Sequence, residues 1–247
     1  GTKQLQDQYI ESFPDVAKLV GRSNFTCVSG TYGCDRGYYK ATRLKRSKQY
    51  CSGCPYKEHV EFALSSPYYV GNYSSLIHTA SRDMQREIVI FDEGHRVESE
   101  LLSFCDVEIN QKWLRIVDPA MPIDPDDPDD LWDWVEMFND DLKDMTFGDE
   151  MGPEADRLKN SIKHLLDTRY KMWWIPQANF TGMGRDWVTF KPVKLTRKES
   201  DILLEKGKRR LFLSATIFDP EEIASALGLE ESEWSYVSST KAFPAEN

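Results

Sequence analysis

What this chain of 247 residues lacks narrows its class first. No run approaches the roughly 18 apolar residues that a membrane-spanning helix requires, and the N-terminus has no basic region followed by an apolar stretch and a cleavage site. Both absences argue against membrane and secretory classes. Cysteine is scarce and unevenly placed, with five in all and four of them between residues 27 and 54. An odd, crowded set of this kind suits a metal or cluster site in a reducing compartment better than a disulfide framework. The sequons at Asn24, Asn72 and Asn179 then read as chance matches. Also absent is any GxxxxGK followed by Ser or Thr, the glycine-rich loop and lysine that cradle nucleotide phosphates. What is there, 40% apolar and 29% charged residues, gives a globular protein with one sizeable core or two to three small ones.

The net charge of −10 argues against nucleic acid only until its distribution is read. From Asp118 to Asp156 there are fifteen Asp or Glu and one Lys, a local balance of −14, which leaves 26 acids against 30 Lys and Arg, or +4, elsewhere. Between Arg36 and Lys48 lie Arg36, Lys40, Arg43, Lys45, Arg46 and Lys48 with no acid, and Tyr38 and Tyr39 are interleaved. Cations alternating with rings suit a phosphate backbone with exposed bases. A solvated basic loop is the bland alternative. The acidic insert is expected to be a solvated face that adds no attraction for DNA.

Along the chain, Leu5, Tyr9, Phe13 and Val16 recur at helical spacing, which predicts a helix over Gln4 to Val20 broken or restarted at Pro14. An irregular cysteine-bearing segment follows to about residue 60, then mixed helix and loop to residue 80. Ile88 to Phe91 is an apolar run ending abruptly in Asp92, and Leu211 to Leu213 ending in Ser214 repeats the pattern. Both read as buried parallel strands whose carboxyl ends face a ligand crevice, so one α/β sheet is expected. Between them, a loop rich in Pro and Asp (Asp118 to Asp130) precedes two amphipathic stripes. Leu131, Trp134, Val135, Phe138, Leu142 and Met145 form the first, and Leu158, Ile162, Leu165 and Leu166 the second, a pattern for a helical hairpin. Its Trp and Met residues are expected in the core.

Three groups carry chemistry. Cys27, Cys34, Cys51 and Cys54, separated by six, sixteen and two residues, can close a tetrahedral shell of four sulfurs around zinc or an iron-sulfur cluster, with bare spacing slightly favouring zinc. Cys105 stands apart as a core thiol. Asp92, Glu93, Gly94 and His95 follow the first strand directly; an aspartate there can hold Mg2+ through its waters and the glutamate can orient the water that attacks a γ-phosphate. Ser214, Ala215 and Thr216 end the second strand. In isolation the acidic pair is also what a surface loop carries, and the hydroxyls are also what caps a helix.

The order of these elements adds what none has alone. Thr2-Lys3-Gln4-Leu5-Gln6-Asp7-Gln8, Gly21 to Cys27, the CxxC followed by Pro55-Tyr56, Asn72-Tyr73, the Asp-Glu-Gly-His box and Leu213-Ser214-Ala215-Thr216-Ile217 follow in sequence. The chain thereby resembles the iron-sulfur superfamily 2 DNA helicases typified by XPD and DinG, from motif Ia to just beyond motif III. The resemblance implies an α/β fold, a partial RecA-like motor domain of the P-loop NTPase type, with an inserted 4Fe-4S domain and a helical Arch. The expected segments are motor domain at 1–20, cluster domain at 21–70, motor domain again at 71–104, Arch at 105–190 and motor domain at 191–247.

By the same resemblance Cys27, Cys34, Cys51 and Cys54 would ligate a 4Fe-4S cluster, reversing the bare preference for zinc. Asp92 would hold Mg2+ with ATP, Glu93 would activate water, and His95 would connect the nucleotide to Ser214 and Thr216, which couple hydrolysis to DNA movement. Thr2, Lys3, Arg22, Tyr38, Lys40 and Tyr73 would contact DNA, Arg22 also bracing the cluster loop. Single-stranded or forked DNA is the implied partner, translocation is 5′ to 3′, and the setting is DNA repair in a cytoplasmic nucleoid or a nucleus. Members carry Ala where this chain has Gly94, a loss of one methyl expected to be tolerated while loosening the backbone.

The missing P-loop, the missing second motor domain and a start without Met lead to the expectation of a fragment that does not hydrolyse ATP alone. The rival is a non-enzymatic DNA-binding fragment. A zinc-ribbon interaction module also fits the cysteines but leaves both strand ends unexplained. If the basic run neutralises about four phosphates, log affinity for a single strand falls with log salt at a slope near −3. Reversing the charge of Lys40, Arg43 and Lys45 together flattens that slope in an anisotropy titration, and an unchanged slope identifies the run as a solvated loop.

Overall fold

The structure, a computed structural model, describes residues 3–30, 33–34, 37, 51–78, 85–148, 151–180, 186–215 and 219–238. Thr2, Tyr38, Lys40 and Thr216, and the basic run, lie outside the described residues, as does the side chain of Lys3.

Helix α1 (Lys3–Ser12) stops short of Pro14, and the chain restarts not as helix but as strand β1 (Val16–Leu19). Pro14 cannot supply a helical amide, and Val16, Lys18 and Ala17, Leu19 then alternate between half-buried and buried positions, the period of a strand. β1 pairs in parallel with β2 (Tyr68–Gly71), Val16 opposite Tyr68 and Leu19 opposite Gly71. The connection runs through the cysteine segment and helix α2 (Pro55–Ser65), whose Pro55 occupies the first turn where a missing amide costs nothing. Ala17, Leu19 and Ala63 form a small core there. Arg86 closes it, donating to the Leu64 carbonyl at 2.7 Å and lying over the Tyr69 ring.

After helix α3 (Tyr73–His78), strand β3 (Arg86–Asp92) pairs in parallel with β7 (Gly207–Leu213), Ile90 opposite Leu211 and Asp92 opposite Leu213. One face of this pair is packed: Phe91 stacks on Phe212 at 4.9 Å and on Tyr73 at 6.2 Å. The other face is bare, with Ile88, Ile90, Leu211 and Leu213 each 45 to 58% exposed. The two apolar strands thus share one parallel sheet as expected, and β1 with β2 forms a second, separate parallel pair among the described residues.

Between β3 and β7 come a 3-10 turn (Gly94–Arg96), α4 (Val97–Cys105), β4 (Val107–Asn110), α5 (Gln111–Val117), α6 (Pro128–Asp144), α7 (Gly152–Met172), β5 (Trp174–Asn179), β6 (Trp187–Pro192) and α8 (Arg197–Leu204); α9 (Pro220–Ala226) follows β7. Asn110 caps α5, Asp127 caps α6, Asp219 caps α9, and Thr196 with Glu199 forms a reciprocal capping box on α8, each a side-chain oxygen on an otherwise unpaired amide. Helices α6 and α7 form the expected hairpin. Leu131, Trp134, Val135, Phe138 and Leu142 face Leu158, Ile162 and Leu165 in one core, and Trp132 meets Phe190 of β6 at 5.0 Å.

The insert expected as a helical Arch also contains strands: β4, β6 and β5 form a three-stranded antiparallel sheet that packs with the hairpin. The expected segment edges at 70 and 190 fall inside β2 and β6, and that at 104 inside the last turn of α4. Tyr73 and Phe91 share one core with the hairpin, so the insert packs together with the segment that precedes it. No helix among the described residues is long and apolar enough to cross a membrane. Phe138, fully buried between the two helices, has no space to relax into when truncated. Phe138→Ala is expected to cost about 3–5 kcal/mol in urea denaturation, the range for a large-to-small core change.

Candidate functional site

Parallel pairing of β3 and β7 ends both strands at one level, Asp92 opposite Leu213, so the residues that follow meet. Glu93 turns the chain in the left-handed conformation (φ +53), which is uncommon outside glycine, Asn and Asp and stores strain where it persists. His95 thereby reaches across to β7, its Nδ1 lying 2.7 Å from the Ser214 hydroxyl and 3.4 Å from Glu93 Oε2. Both contacts fall on one ring nitrogen.

Asp92 is held from three sides. Its Oδ1 accepts the Glu93 amide at 3.0 Å, its Oδ2 accepts the Tyr9 hydroxyl at 3.3 Å, and its carbonyl accepts the Tyr73 hydroxyl at 2.8 Å. A carboxylate has about four acceptor positions, so two remain for a hydrated cation. Burial, followed by the Asp92 charge, raises both phenol pKa values and keeps these struts protonated. Tyr73, expected at the DNA surface, is corrected: it is 5% exposed, stacked on Phe91, and supports the turn from within the core. Nothing local marked the Tyr9 contact, since 83 residues separate it from Asp92.

The four cysteines share a second neighbourhood. A bridge between Thr26 and Gly33 pinches their loop, Cys34 donating its amide to Phe25 at 3.0 Å, which brings Cys27 and Cys34 onto adjoining positions. Gly53 takes φ +64 and delivers Cys54 to the N-cap of α2. Cys27, Cys34 and Cys54 are buried and Cys51 is partly so. Burial and then its neighbour Cys54, which it meets through a hydrogen bond, push the Cys34 thiol up to about 12, while Arg22 acts in the opposite sense. Burial, Cys54 and Cys27 likewise raise Cys51. Arg22 also lies over the Tyr56 ring at 5.1 Å. His59 is held neutral by burial and accepts the Val20 amide at 3.2 Å, which makes it a strut of this loop.

Among the described residues, no three His, Cys, Asp or Glu side chains are arranged to hold a metal ion. The donor set is nevertheless the kind a thiolate-bound centre uses, because four sulfurs from one short stretch lie within electrostatic reach of one another, Cys27 and Cys54 each acting on both Cys34 and Cys51. Cys105 lies elsewhere, its thiol pushed to about 12 by burial first and then by Glu199 and Asp106, an unreactive core position. No protein-family model matches the chain, and no curated protein matches it.

Gly94 departs from its sequence expectation. A Cβ built there would lie 2.8 Å from Phe212 Cβ, 3.2 Å from Phe212 Cα and 3.3 Å from the Leu213 nitrogen. The glycine does not merely loosen the turn; it lets the turn press against the backbone of β7, and the His95 to Ser214 contact follows from that approach. Gly94→Ala is expected to destabilise the protein by about 1–3 kcal/mol, as overpacking does. Urea unfolding of the variant at wild-type stability would show that the turn can lift away from the strand.

Proposed function

We propose that the chain is part of the motor of an ATP-dependent 5′ to 3′ DNA helicase of the iron-sulfur superfamily 2 type. The observation that carries this reading is the hydrogen bond between His95 and Ser214, which joins the acidic turn of β3 to the hydroxyl-bearing end of β7. A nucleotide-driven motor needs such a link, because a change at the γ-phosphate does work only when a second element feels it.

In this reading Asp92, fixed by Tyr9 and the Glu93 amide, holds the magnesium of bound ATP through its remaining acceptor positions. Glu93, half exposed on its strained turn, orients the attacking water and takes its proton. His95 senses that change through Glu93 and conveys it to Ser214, beyond which Thr216 belongs to the same motif. Cys27, Cys34, Cys51 and Cys54 hold the 4Fe-4S cluster, which when bound supplies a rigid cross-link among otherwise irregular loops. Arg22 offsets its negative charge. Thr2, Lys3, Tyr38 and Lys40 contact the strand.

The bare face of β3 and β7 supports a motor completed by further polypeptide, since parallel sheets are ordinarily covered on both faces. The absence of a P-loop from these 247 residues supports the second reading for the chain by itself, a module that grips single-stranded or forked DNA without turnover.

Residues 1–247 purified without oxygen are expected to carry about four irons per chain and to show no DNA-stimulated ATP hydrolysis. A polypeptide that also carries the P-loop and second motor domain is expected to hydrolyse ATP and unwind a duplex with a 5′ tail. In it Glu93→Gln binds ATP and DNA but turns over at least about 10²-fold more slowly. Stoichiometric zinc in place of iron, turnover by residues 1–247 alone, or normal turnover by Glu93→Gln would each overturn the part of the reading it addresses.

A further inference from the structure

Helix α7 ends at Trp173, whose backbone takes the left-handed conformation (φ +53, ψ +80) that glycine adopts without strain and a bulky residue does not. Packing does not account for a tryptophan at this position. Its side chain is 66% exposed, and Tyr170, about one turn earlier, is 84% exposed. Two half-exposed aliphatic residues adjoin them: the Val193 amide donates to the Trp173 carbonyl at 2.9 Å, and Ile175 lies opposite Lys191 in the β5–β6 pair.

Cations frame the rings. Lys194 Nζ lies 5.9 Å from the Trp173 ring centre and the Arg169 guanidinium 5.4 Å from that of Tyr170, while Lys171 and Lys191 are exposed on either side. The nearby acids are few: Glu136 pairs with Arg169 at 3.3 Å, Asp106 is within electrostatic reach of Lys191, and Asp167 lies one turn before Tyr170.

We propose that this surface is a binding site for single-stranded nucleic acid. The ring faces not covered by Lys194 and Arg169 stack on unpaired bases whatever their sequence, and the lysine ammonium groups nearby meet the phosphates between those bases. A duplex buries its base faces and gains nothing from the rings. Alternation of rings with lysines, rather than a continuous aliphatic patch, favours a polyanion with planar groups over an apolar protein partner. The strain at Trp173 is then what projects the ring outward. The site lies outside the cysteine segment, the basic run and the acidic stretch from Asp118 to Asp156, and does not depend on the helicase reading.

The test is fluorescence anisotropy of residues 1–247 with a fluorescein-labelled oligo(dT) of about 15 nucleotides, near the upper site size of such surfaces. Trp173→Gly is expected to weaken binding about tenfold while melting no lower than the wild type, because glycine relieves the backbone strain. The salt slope stays unchanged, since stacking releases no counterions. Trp173→Phe keeps a ring and holds affinity within about threefold, and Tyr170→Ala behaves like Trp173→Gly. With Lys40, Arg43 and Lys45 reversed in charge, the residual oligo(dT) binding still falls on Trp173→Gly, which separates this site from the basic run. Unchanged oligo(dT) affinity in Trp173→Gly, an equal loss for blunt duplex, or a change of oligomeric state in that variant would overturn the proposal.

Discussion

The pairing of β3 with β7 is the constraint on which the rest depends. Their residues are more than a hundred positions apart in the chain, yet Phe91 stacks on Phe212 and the two strand ends finish side by side. Burying a phenylalanine of this kind is worth roughly 1.5–3 kcal/mol and a ring pair about 0.5–1.5 kcal/mol more. That local gain closes a very long loop, whose cost grows only slowly with its length. The insert between the strands adds its own stability, because its hairpin and antiparallel sheet share a core with Phe91 and Tyr73. Without the strand pair, Asp92 and Ser214 would belong to separate surfaces.

Around that pair, the acidic turn is built by exclusion as much as by attraction. Gly94 leaves no side chain between the turn and β7, so the backbone comes close enough for His95 to reach Ser214. Glu93 absorbs the bend in a strained conformation, and two phenols, one from α1 and one from α3, brace Asp92. A flexible loop could present the same residue types, but it would not hold a carboxylate, an imidazole and a hydroxyl in fixed succession. The cysteine loop follows the same logic at smaller scale: a single bridge at Thr26 and Gly33 and a glycine turn at Gly53 bring the thiols of one short stretch into a common neighbourhood.

Periodicity was the most legible part of the chain. The stripes of α6 and α7 are long enough for a 3.6-residue period to stand out, and their residues from Leu131 to Leu142 and from Leu158 to Leu165 lie in the core as expected. The apolar runs before Asp92 and Ser214 were equally readable as parallel strands. Short strands were not. β1 and β2 have four residues each, too few to distinguish alternation from one helical turn, and β5 and β6 carry prolines that resemble loop signals. Tyr73 was misplaced because a tyrosine beside a motif looks the same in sequence whether its ring faces solvent or Phe91.

By itself, then, the sequence determined which chemistry is possible: four thiols in one stretch, an acidic box and a hydroxyl motif at the ends of two apolar strands, and charge segregated into one insert. Those properties depend on composition and on neighbours within a few positions, where side-chain type and backbone preference act directly. Tertiary structure alone decided which of these groups meet. That His95 touches Ser214, that Tyr9 and Tyr73 brace Asp92, that Gly94 is required and that Trp173 stands exposed on a strained helix end all depend on contacts between segments remote in the chain. Packing selects such contacts cooperatively from many residues at once, so no local pattern records them.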